Sequence, residues 1–277
     1  MRVLVTGAGG GIGRVAVAHL LDSGHEVVAL VERDADAPAG VPAVVGDCGD
    51  PAVVDRALPG VDAVVHLAAI PAPVGDGAHV FVNNVRATYV VLDRAAAAGV
   101  RRAVIASSIS VLGLAWGRPG LTPHYVPVDE DHPILAEDPY ALSKQADENT
   151  ARMISRRHGT AVLALRFPFT GDDDRVAERA AQVAADPGAG VQDLWAWLHA
   201  GDAAVALRLA VESGVSGCHV LNVMAPDTIS AVPTEELLER HHPTAERRRP
   251  LPGTTTPYAT DRAEALLGFR AARRPPG

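Results

Sequence analysis

Glycine spacing near the N-terminus places the tightest limit on what this chain can fold into. An apolar run, Val3–Val5, leads directly into glycines at positions 7, 10, 11 and 13, where an amphipathic pattern begins. Glycine suits such a strand-to-helix turn, because a Cβ would hold the backbone away from a bound phosphate. Backbone N–H groups and the positive helix end then face the same point. The spacing predicts a loop that binds a dinucleotide pyrophosphate, formed by Gly7, Gly10, Gly11, Ile12 and Gly13.

Strand and helix patterns alternate through the rest of the chain. Short β-branched runs at 27–31, 43–45, 63–67, 103–106 and 162–165 are separated by helical patterns at 53–58, 80–98 and 140–158. This alternation predicts an α/β protein with a doubly wound parallel sheet, the Rossmann fold. We expect it to span residues 1–166 and to be completed within about 202–225. Residues 167–201 and 226–277 are expected to form a small discontinuous C-terminal substrate lobe, with helices near 176–185, 234–241 and 261–267.

Composition excludes several classes of partner. The net charge of -8 disfavours general binding to nucleic acid or to an anionic membrane. The arginines at 247–249 are interpreted as a solvated loop. No apolar run reaches about 18 residues, so we expect no membrane span. Cys48 and Cys218 are far apart and lack metal-type spacing, so we expect no metal, no disulfide and a cytoplasmic location.

The end of the second predicted strand carries both charges that select between nicotinamide cofactors. Glu32 and Arg33 follow that strand, about twenty residues beyond the glycines. A carboxylate there can bond the ribose hydroxyls of NAD, whereas an arginine can accept the 2′-phosphate of NADP. Because Glu32 would repel that phosphate, NAD is favoured and NADP stays open.

Taken in order, the motifs resemble those of the extended short-chain dehydrogenase/reductase superfamily, in its NAD-dependent epimerase/dehydratase group. The matching segments are 6–13, 46–48, 62–69, 84–88, 106–108, 140–144 and 165–167, with 261–263 and 266–269 similar to a C-terminal signature. The resemblance implies an NAD(P)-dependent enzyme that pairs into a homodimer through the helix carrying Tyr140 and a neighbouring helix. It also implies further cofactor contacts from Asp47, Cys48, Leu67, Ala68, Ala69, Asn84, Tyr140, Lys144 and Phe167. Asn84 would in addition serve a proton relay, with Asn83 as the alternative.

Tyr140 and Lys144 lie one helical turn apart and therefore share a face. A free tyrosine, with a pKa of about 10, is a poor base at neutral pH. A lysine ammonium beside it favours the phenolate, which can then act as general acid and base while hydride moves. By the resemblance, Ser108 is the catalytic hydroxyl; Ser107 and Ser110 are the alternatives.

Residues at neighbouring positions limit the possible types of reaction and substrate. Sugar-nucleotide dehydratases, which resemble this family, carry an acidic pair where this chain has Ile109 and Ser110, so dehydration is disfavoured. Uronate dehydrogenases carry an arginine where this chain has Gln192, although Arg175 offers a substitute. The short remainder after Arg166 favours a compact substrate, sugar-like or a secondary metabolite. Its expected contacts are Ile70, Ser108, Ser110, Phe169, Gln192 and Trp195. A hydride-transferring oxidoreductase is the favoured hypothesis, and a redox-neutral epimerase with bound NAD and a non-catalytic dinucleotide-binding module are the alternatives.

Overall fold

Seven strands form the central sheet in a computed structural model that describes residues 1–275. They are β1 (Arg2–Thr6), β2 (Glu26–Val31), β3 (Ala43–Val45), β4 (Ala63–His66), β5 (Arg102–Ser108), β7 (Ala161–Phe167) and β10 (Cys218–Asn222). Four further strands lie outside this sheet: β6 (Tyr125–Val126), β8 (Phe169–Gly171), β9 (Trp197–His199) and β11 (Glu246–Arg247). The sheet order is β3-β2-β1-β4-β5-β7-β10, and every pairing is parallel. The predicted α/β Rossmann fold is confirmed.

Eight helices connect these strands. They are α1 (Gly11–Asp22), α2 (Pro51–Ala57), α3 (Gly77–Ala97), α4 (Pro139–His158), α5 (Asp173–Ala185), α6 (Ala200–Glu212), α7 (Thr234–His241) and α8 (Asp261–Leu267). Local sequence sets several of their ends. Asp138 caps α4 by accepting a hydrogen bond from the backbone of Ala141, and Pro139 follows at the first helical position. The chain leaves α4 at Gly159, whose φ of 72° a side chain would disfavour.

Both faces of the sheet are covered, which explains its nearly continuous apolar strands. All seven residues of β7 are buried, as expected when helices pack above and below a parallel sheet. One apolar cluster joins the sheet to α1, α6 and α8. The second joins its other face to α2, α3 and α4. The sheet is therefore a rigid platform, and its strand ends can position side chains along one edge.

A third apolar cluster lies beyond the end of the sheet. It draws residues from 109–128, 176–197 and 224–258, and it includes the fully buried Trp195 and Trp197. Beside it β6 pairs with β11, and β8 pairs with β9. The structure differs from the predicted division of the lobe in two places. Residues 109–128 contribute to this cluster, and α8 packs on the sheet. The boundaries of the lobe stay a prediction.

Two further features concern residues 1–275 alone. No helix in that range combines the length and the apolar character needed to cross a membrane. In the same range, no three His, Cys, Asp or Glu side chains gather in a way that could hold a metal ion.

Candidate functional site

A continuous cleft follows the edge where the strands of the sheet end. Three neighbouring cavities of about 640, 430 and 410 Å³ form it, and we call them the β2 cavity, the central cavity and the lobe cavity. The first two share Gly7 and Gly10, and the last two share Ser108 and Phe169. Ligands of parallel α/β sheets bind at this edge, where the carboxyl ends of the strands meet.

The glycine loop crosses the cleft between the β2 and central cavities. Gly7 has a φ of +65°, and a Cβ on it would lie 2.7 Å from the backbone nitrogen of Ala68. A Cβ on Gly13 would lie 2.1 Å from the Gly7 carbonyl oxygen. Neither position tolerates a side chain, so α1 can begin directly against β1. Gly7, Gly10, Gly11, Ile12 and Gly13 all line the central cavity, and this cradle fits the pyrophosphate of a dinucleotide.

The β2 cavity combines exposed charges with a buried thiol. Glu32, Arg33, Asp47 and Cys48 line it as predicted. Arg33 Nε donates to Asp36 Oδ2 at 2.8 Å, and Asp36 also lines this cavity. Burial raises the pKa of Cys48 to about 12, so this thiol stays protonated at neutral pH. The cavity walls also include the predicted Ala68 and Ala69.

A second arginine reaches the same acidic residue from helix α1. Arg14 Nη2 lies 3.9 Å from Asp36 Oδ1, and its Nε donates to the Gly9 carbonyl at 2.6 Å. Asp36 therefore faces two guanidinium groups at the rim of the β2 cavity. Sequence reasoning had not identified either Arg14 or Asp36.

Helix α4 brings Tyr140 and Lys144 to the floor of the central cavity. Lys144 is the only lysine in the sequence, and its side chain is 5% exposed. Its Nζ lies 5.9 Å from the centre of the Tyr140 ring. Burial by itself lowers the pKa of Lys144, but the charges of Asp147 and Tyr140 more than offset that, so the pKa lies above its ordinary value. The ammonium is therefore charged at neutral pH.

Ser108 ends strand β5 at the junction of the central and lobe cavities. Its hydroxyl donates to Ser110 Oγ at 2.9 Å and accepts from the Ser110 backbone N–H at 3.1 Å. Ser107, the alternative candidate, instead donates to the buried Glu148 at 2.8 Å. Ser108 lines both the central and the lobe cavity, whereas Ser107 lines only the central cavity, so the placement favours Ser108 over Ser107.

Asn84 does not reach the cleft. Its side chain is fully buried, with Oδ1 accepting from the Ile70 N–H at 2.8 Å. Its two amide hydrogens go to the Ile70 carbonyl and to Ser143 Oγ. Because these bonds use both donors, the expected direct contact with a cofactor is replaced by a link between the loop after β4 and helix α4. Asn83, not Asn84, lines the β2 cavity.

His66 and Thr6 lie beneath the glycine loop, at the ends of neighbouring strands. His66 Nδ1 meets Thr6 Oγ1 at 2.7 Å, and its Nε2 meets Thr88 Oγ1 at 3.1 Å. Burial, together with the charge of Lys144, lowers the pKa of His66 to about 3. The ring is therefore neutral and both of its nitrogens are engaged, which suits a structural role.

The lobe cavity lies beyond Ser108, between the strand ends and the third apolar cluster. Ser110, Phe169 and Gln192 line it as expected, together with Trp116. Gln192 Nε2 donates to the Gly117 carbonyl at 3.1 Å, so it ties two loops across the mouth. Arg179 Nη2 donates to Asp193 Oδ2 at 2.6 Å, and burial raises the pKa of Asp193 to about 6.

Two expected substrate contacts lie elsewhere. Trp195 is 0% exposed and donates its indole N–H to the Pro187 carbonyl at 2.8 Å. It packs inside the third apolar cluster and lines none of the three cavities, because its ring faces the lobe interior. Ile70 lines the β2 cavity and not the lobe cavity.

Functional candidates that the sequence analysis missed lie in the cleft and directly beneath it. Asp147 is 1% exposed and lies 3.2 Å from Lys144 Nζ; its i,i+3 spacing from Lys144 was a usable signal. Arg179 and Asp193 are fourteen residues apart, on opposite sides of a turn, and no local pattern links them.

The remaining predicted contacts, Leu67 and Phe167, line the central cavity.

Comparison with known proteins gives relatives for nearly the whole chain. Residues 3–223 match the model of the NAD dependent epimerase/dehydratase family. An L-arabinose 1-dehydrogenase (NAD(P)(+)) of Haloferax volcanii is 31% identical over 219 residues, covering 77% of this chain and 84% of the relative. A UDP-glucose 4-epimerase of Azospirillum brasilense is 33% identical, but the match covers only 60% of this chain and 48% of that enzyme.

A solved structure extends the likeness over the fold as a whole. A short-chain dehydrogenase/reductase superfamily protein of Agrobacterium tumefaciens with bound NAD superposes with a TM-score of 0.75 and 26% identity, covering 99% of this chain and 93% of the other. The family match, the arabinose dehydrogenase and this structure agree on an NAD(P)-dependent enzyme with this fold. The chain thus belongs to the NAD-dependent epimerase/dehydratase family of the extended short-chain dehydrogenase/reductase superfamily and binds NAD(P).

Proposed function

We propose that this protein is an NAD-dependent dehydrogenase that oxidises a hydroxyl group of a small, uncharged sugar. The observation that carries the proposal is the position of Ser108, Tyr140 and Lys144. All three line the central cavity together with the glycine loop, and Ser108 also lines the lobe cavity. A substrate in the lobe cavity would present its hydroxyl to these groups, with the nicotinamide on the other side.

The chemistry follows from the three side chains. A bound oxidised nicotinamide would supply the hydride acceptor. Tyr140, as phenolate, takes the proton of the substrate hydroxyl, and the Lys144 ammonium stabilises that phenolate. Ser108 Oγ holds the substrate oxygen by a hydrogen bond. In the direction of reduction the same residues work in reverse, with Tyr140 returning the proton.

The lobe cavity supports a compact and uncharged substrate. Its volume of about 410 Å³ is near the lower end of the range of about 300–1,000 Å³ for ligand sites. Arg179 and Asp193 are the charged side chains on its wall, and they neutralise each other at 2.6 Å. Since the guanidinium is already paired, it offers little to a substrate carboxylate or phosphate. Ser110, Gln192 and Trp116 instead offer hydrogen bonds and an apolar face to a sugar ring.

Selection of NAD over NADP is the second part of the proposal. At the rim of the β2 cavity Glu32 is exposed, and Asp36 faces both Arg33 and Arg14. Both guanidiniums near the expected 2′-position are therefore engaged by a carboxylate. A 2′-phosphate would meet Glu32 and would compete with Asp36 for its partners, which favours NAD.

The experiment begins with the nucleotide that accompanies the purified protein. The nucleotide is released by heat and identified, and NAD and NADP are then titrated into the emptied protein. NADH absorbance is followed with a neutral aldose, a uronic acid, a hexose phosphate and a UDP-sugar. We expect weak retention of NAD, tighter binding of NAD than of NADP, and NADH formation with the neutral aldose. Turnover confined to the uronic acid or to the phosphate would contradict an uncharged substrate.

An epimerase is the alternative favoured by the relatives that act on UDP-glucose. Such a cycle returns the hydride to the substrate, so the cofactor stays bound and no NADH accumulates. Tight retention of NAD with interconversion of sugars and no net absorbance change would support it over the dehydrogenase. Binding of NAD without turnover of any compound, and no loss in a Tyr140→Phe variant, would leave only a non-catalytic binding module.

We also propose a homodimer formed by α3 and α4. Val82 and Tyr89 are 58% and 43% exposed, and their seven-residue spacing places both on one face of α3. Leu142 on the neighbouring α4 is 47% exposed. Three large exposed apolar side chains on adjacent helices favour a second copy of the chain as their cover. Light scattering at the mass of a monomer would contradict this, and a Val82→Glu variant should dissociate the dimer.

A further inference from the structure

Two neighbouring oxygen atoms hold Lys144 at the floor of the central cavity. Its Nζ donates to the Ala106 carbonyl oxygen at 2.9 Å and to Asp147 Oδ2 at 3.2 Å. An ammonium has three N–H donors. Two of them are therefore directed into the protein, and one is left for the cleft, where Tyr140 also lies.

Asp147 has no exposed role that would explain a carboxylate at this position. Its side chain is 1% exposed, and it lines none of the three cavities. Burial of a charge is costly unless the charge is paired. Lys144 lies one helical turn away and is the cation beside it. Burial raises the pKa of Asp147, and the nearby Lys144 ammonium offsets part of that effect.

The other groups around Lys144 cannot replace Asp147. Tyr140, Asp147 and Glu148 face it from α4, and His66 faces it from β4. Glu148 is engaged by both Arg166 Nε and Arg166 Nη2, at 2.8 and 2.9 Å. His66 is neutral and bonded to two threonines. Asp147 is therefore the carboxylate that balances the Lys144 charge.

We propose that Asp147 is a positioning residue for the reaction, holding the Lys144 ammonium charged and oriented so that its remaining N–H points to Tyr140 and the cofactor ribose. The inference rests on the proposed roles of Tyr140 and Lys144. Asp147 acts through Lys144 and touches neither substrate nor cofactor.

The sequence makes a direct test possible. Since Lys144 is the only lysine, protein labelled with ¹³C at lysine Cε gives one side-chain NMR signal, whose pH titration reports this group alone. In the wild type we expect the midpoint at or above the value of about 10.4 for free lysine. Asp147→Asn keeps the shape of the side chain and removes its charge. It should lower the midpoint by about one pH unit or more, a tenfold change in the ammonium–amine equilibrium.

Activity gives the second readout. The alkaline limb of the kcat/KM profile should move down together with the NMR midpoint in Asp147→Asn. We expect kcat to fall about tenfold at a pH above the new midpoint, while KM for the sugar changes little, since Asp147 lies outside the lobe cavity. A role confined to folding would lower kcat at all pH values without moving the limb.

Glu130→Gln is the matched control. Glu130 is also a buried carboxylate, paired at 3.5 Å with Arg262, and it lies outside the group that faces Lys144. This variant should leave the Lys144 signal unchanged. An Asp147→Asn midpoint equal to that of the wild type, or an equal shift in the control, would overturn the proposal. A wild-type midpoint below that of free lysine would also overturn it, even if Asp147→Asn did not fold. Because the NMR readout needs no turnover, failure to oxidise any sugar would count against the proposed function only.

Discussion

The β2 cavity and the α4 side of the cleft contain ion pairs of the same length in opposite surroundings. Arg33 and Asp36 meet at 2.8 Å with the arginine 75% exposed. Arg166 and Glu148 also meet at 2.8 Å, with side chains 1% and 0% exposed. Water screens the first pair and competes for its hydrogen bonds, whereas the second pair has only its protein partners. The two pairs therefore differ in their expected contribution to stability because of burial and not because of distance.

This difference in burial gives the β2 cavity and the α4 side of the cleft separate roles. Charges at the β2 cavity can change partners at low cost, so they can select between cofactors. Charges around α4 are fixed by burial, which suits the groups that must hold reacting atoms. Variants at both ends can test this division, beginning with the pair that has no access to water.

Removing the buried guanidinium should have the largest effect on stability. Arg166→Met leaves Glu148 with only the partly exposed Arg152, 3.6 Å away, as a cation, so the free energy of unfolding should fall by about 3–5 kcal/mol. Urea unfolding measures it. The double variant Arg166→Met/Glu148→Leu removes both charges and should recover most of the loss. A loss below about 1 kcal/mol in the single variant would mean that burial does not separate the two ends.

The next largest effect concerns activity alone. Tyr140→Phe removes one hydroxyl and should lower kcat/KM by about 10²–10⁴ in the NADH assay, with a change in unfolding free energy of about 1 kcal/mol or less. Tyr89→Phe provides the control, because Tyr89 lies on the proposed dimer face of α3 and lines none of the three cavities. Equal activity of the two variants would remove Tyr140 from the reaction.

At the β2 cavity the expected effect is on specificity. Asp36→Asn releases Arg33 and Arg14 from their carboxylate, so the ratio of Kd for NADP to Kd for NAD should fall about tenfold, or about 1.4 kcal/mol. Calorimetry with 2′,5′-ADP and 5′-AMP isolates the 2′-phosphate from the nicotinamide.

Asp34→Asn is the control for this change. Asp34 lies exposed in the same turn and forms no ion pair among residues 1–275. It should leave the ratio near the wild-type value. A ratio that changes in Glu32→Gln but not in Asp36→Asn would place the selection on Glu32 alone.

The two ends also differ in how far the sequence predicts them. The central strands were found because burial on both faces leaves continuous apolar runs, as in β7, where the predicted 162–165 lies within the fully buried Ala161–Phe167. The strands β8 and β9 were missed because each has three residues without a run of β-branched side chains, whereas the edge strand β3, of equal length, contains Val44 and Val45. Tyr140 and Lys144 were found because both lie on one helix, where spacing fixes their relation.

Longer-range relations were beyond local patterns. Arg14 and Asp36 come from different elements, and only the packing of the 34–36 turn on the glycine loop brings them together. Trp195 was predicted to contact the substrate because aromatic residues make up only 4% of the chain. The third apolar cluster decided its burial instead, and that cluster joins three segments far apart in sequence.

Arg33→Gln should have the smallest effect. The exposed guanidinium gives up one pair with Asp36, and surface pairs of this kind contribute about 0–1 kcal/mol. The unfolding free energy should therefore change by about 0.5 kcal/mol or less, and added salt should remove even that, because it screens the pair in the wild type. Since Arg33 and Arg166 each meet a carboxylate at 2.8 Å, the same urea experiment compares a screened pair with a buried one. If Arg33→Gln lowered the unfolding free energy about as much as Arg166→Met, the charges of the β2 cavity would be held as rigidly as those around α4. Cofactor choice would then have to depend on the shape of the cavity and not on charges that are free to change partners.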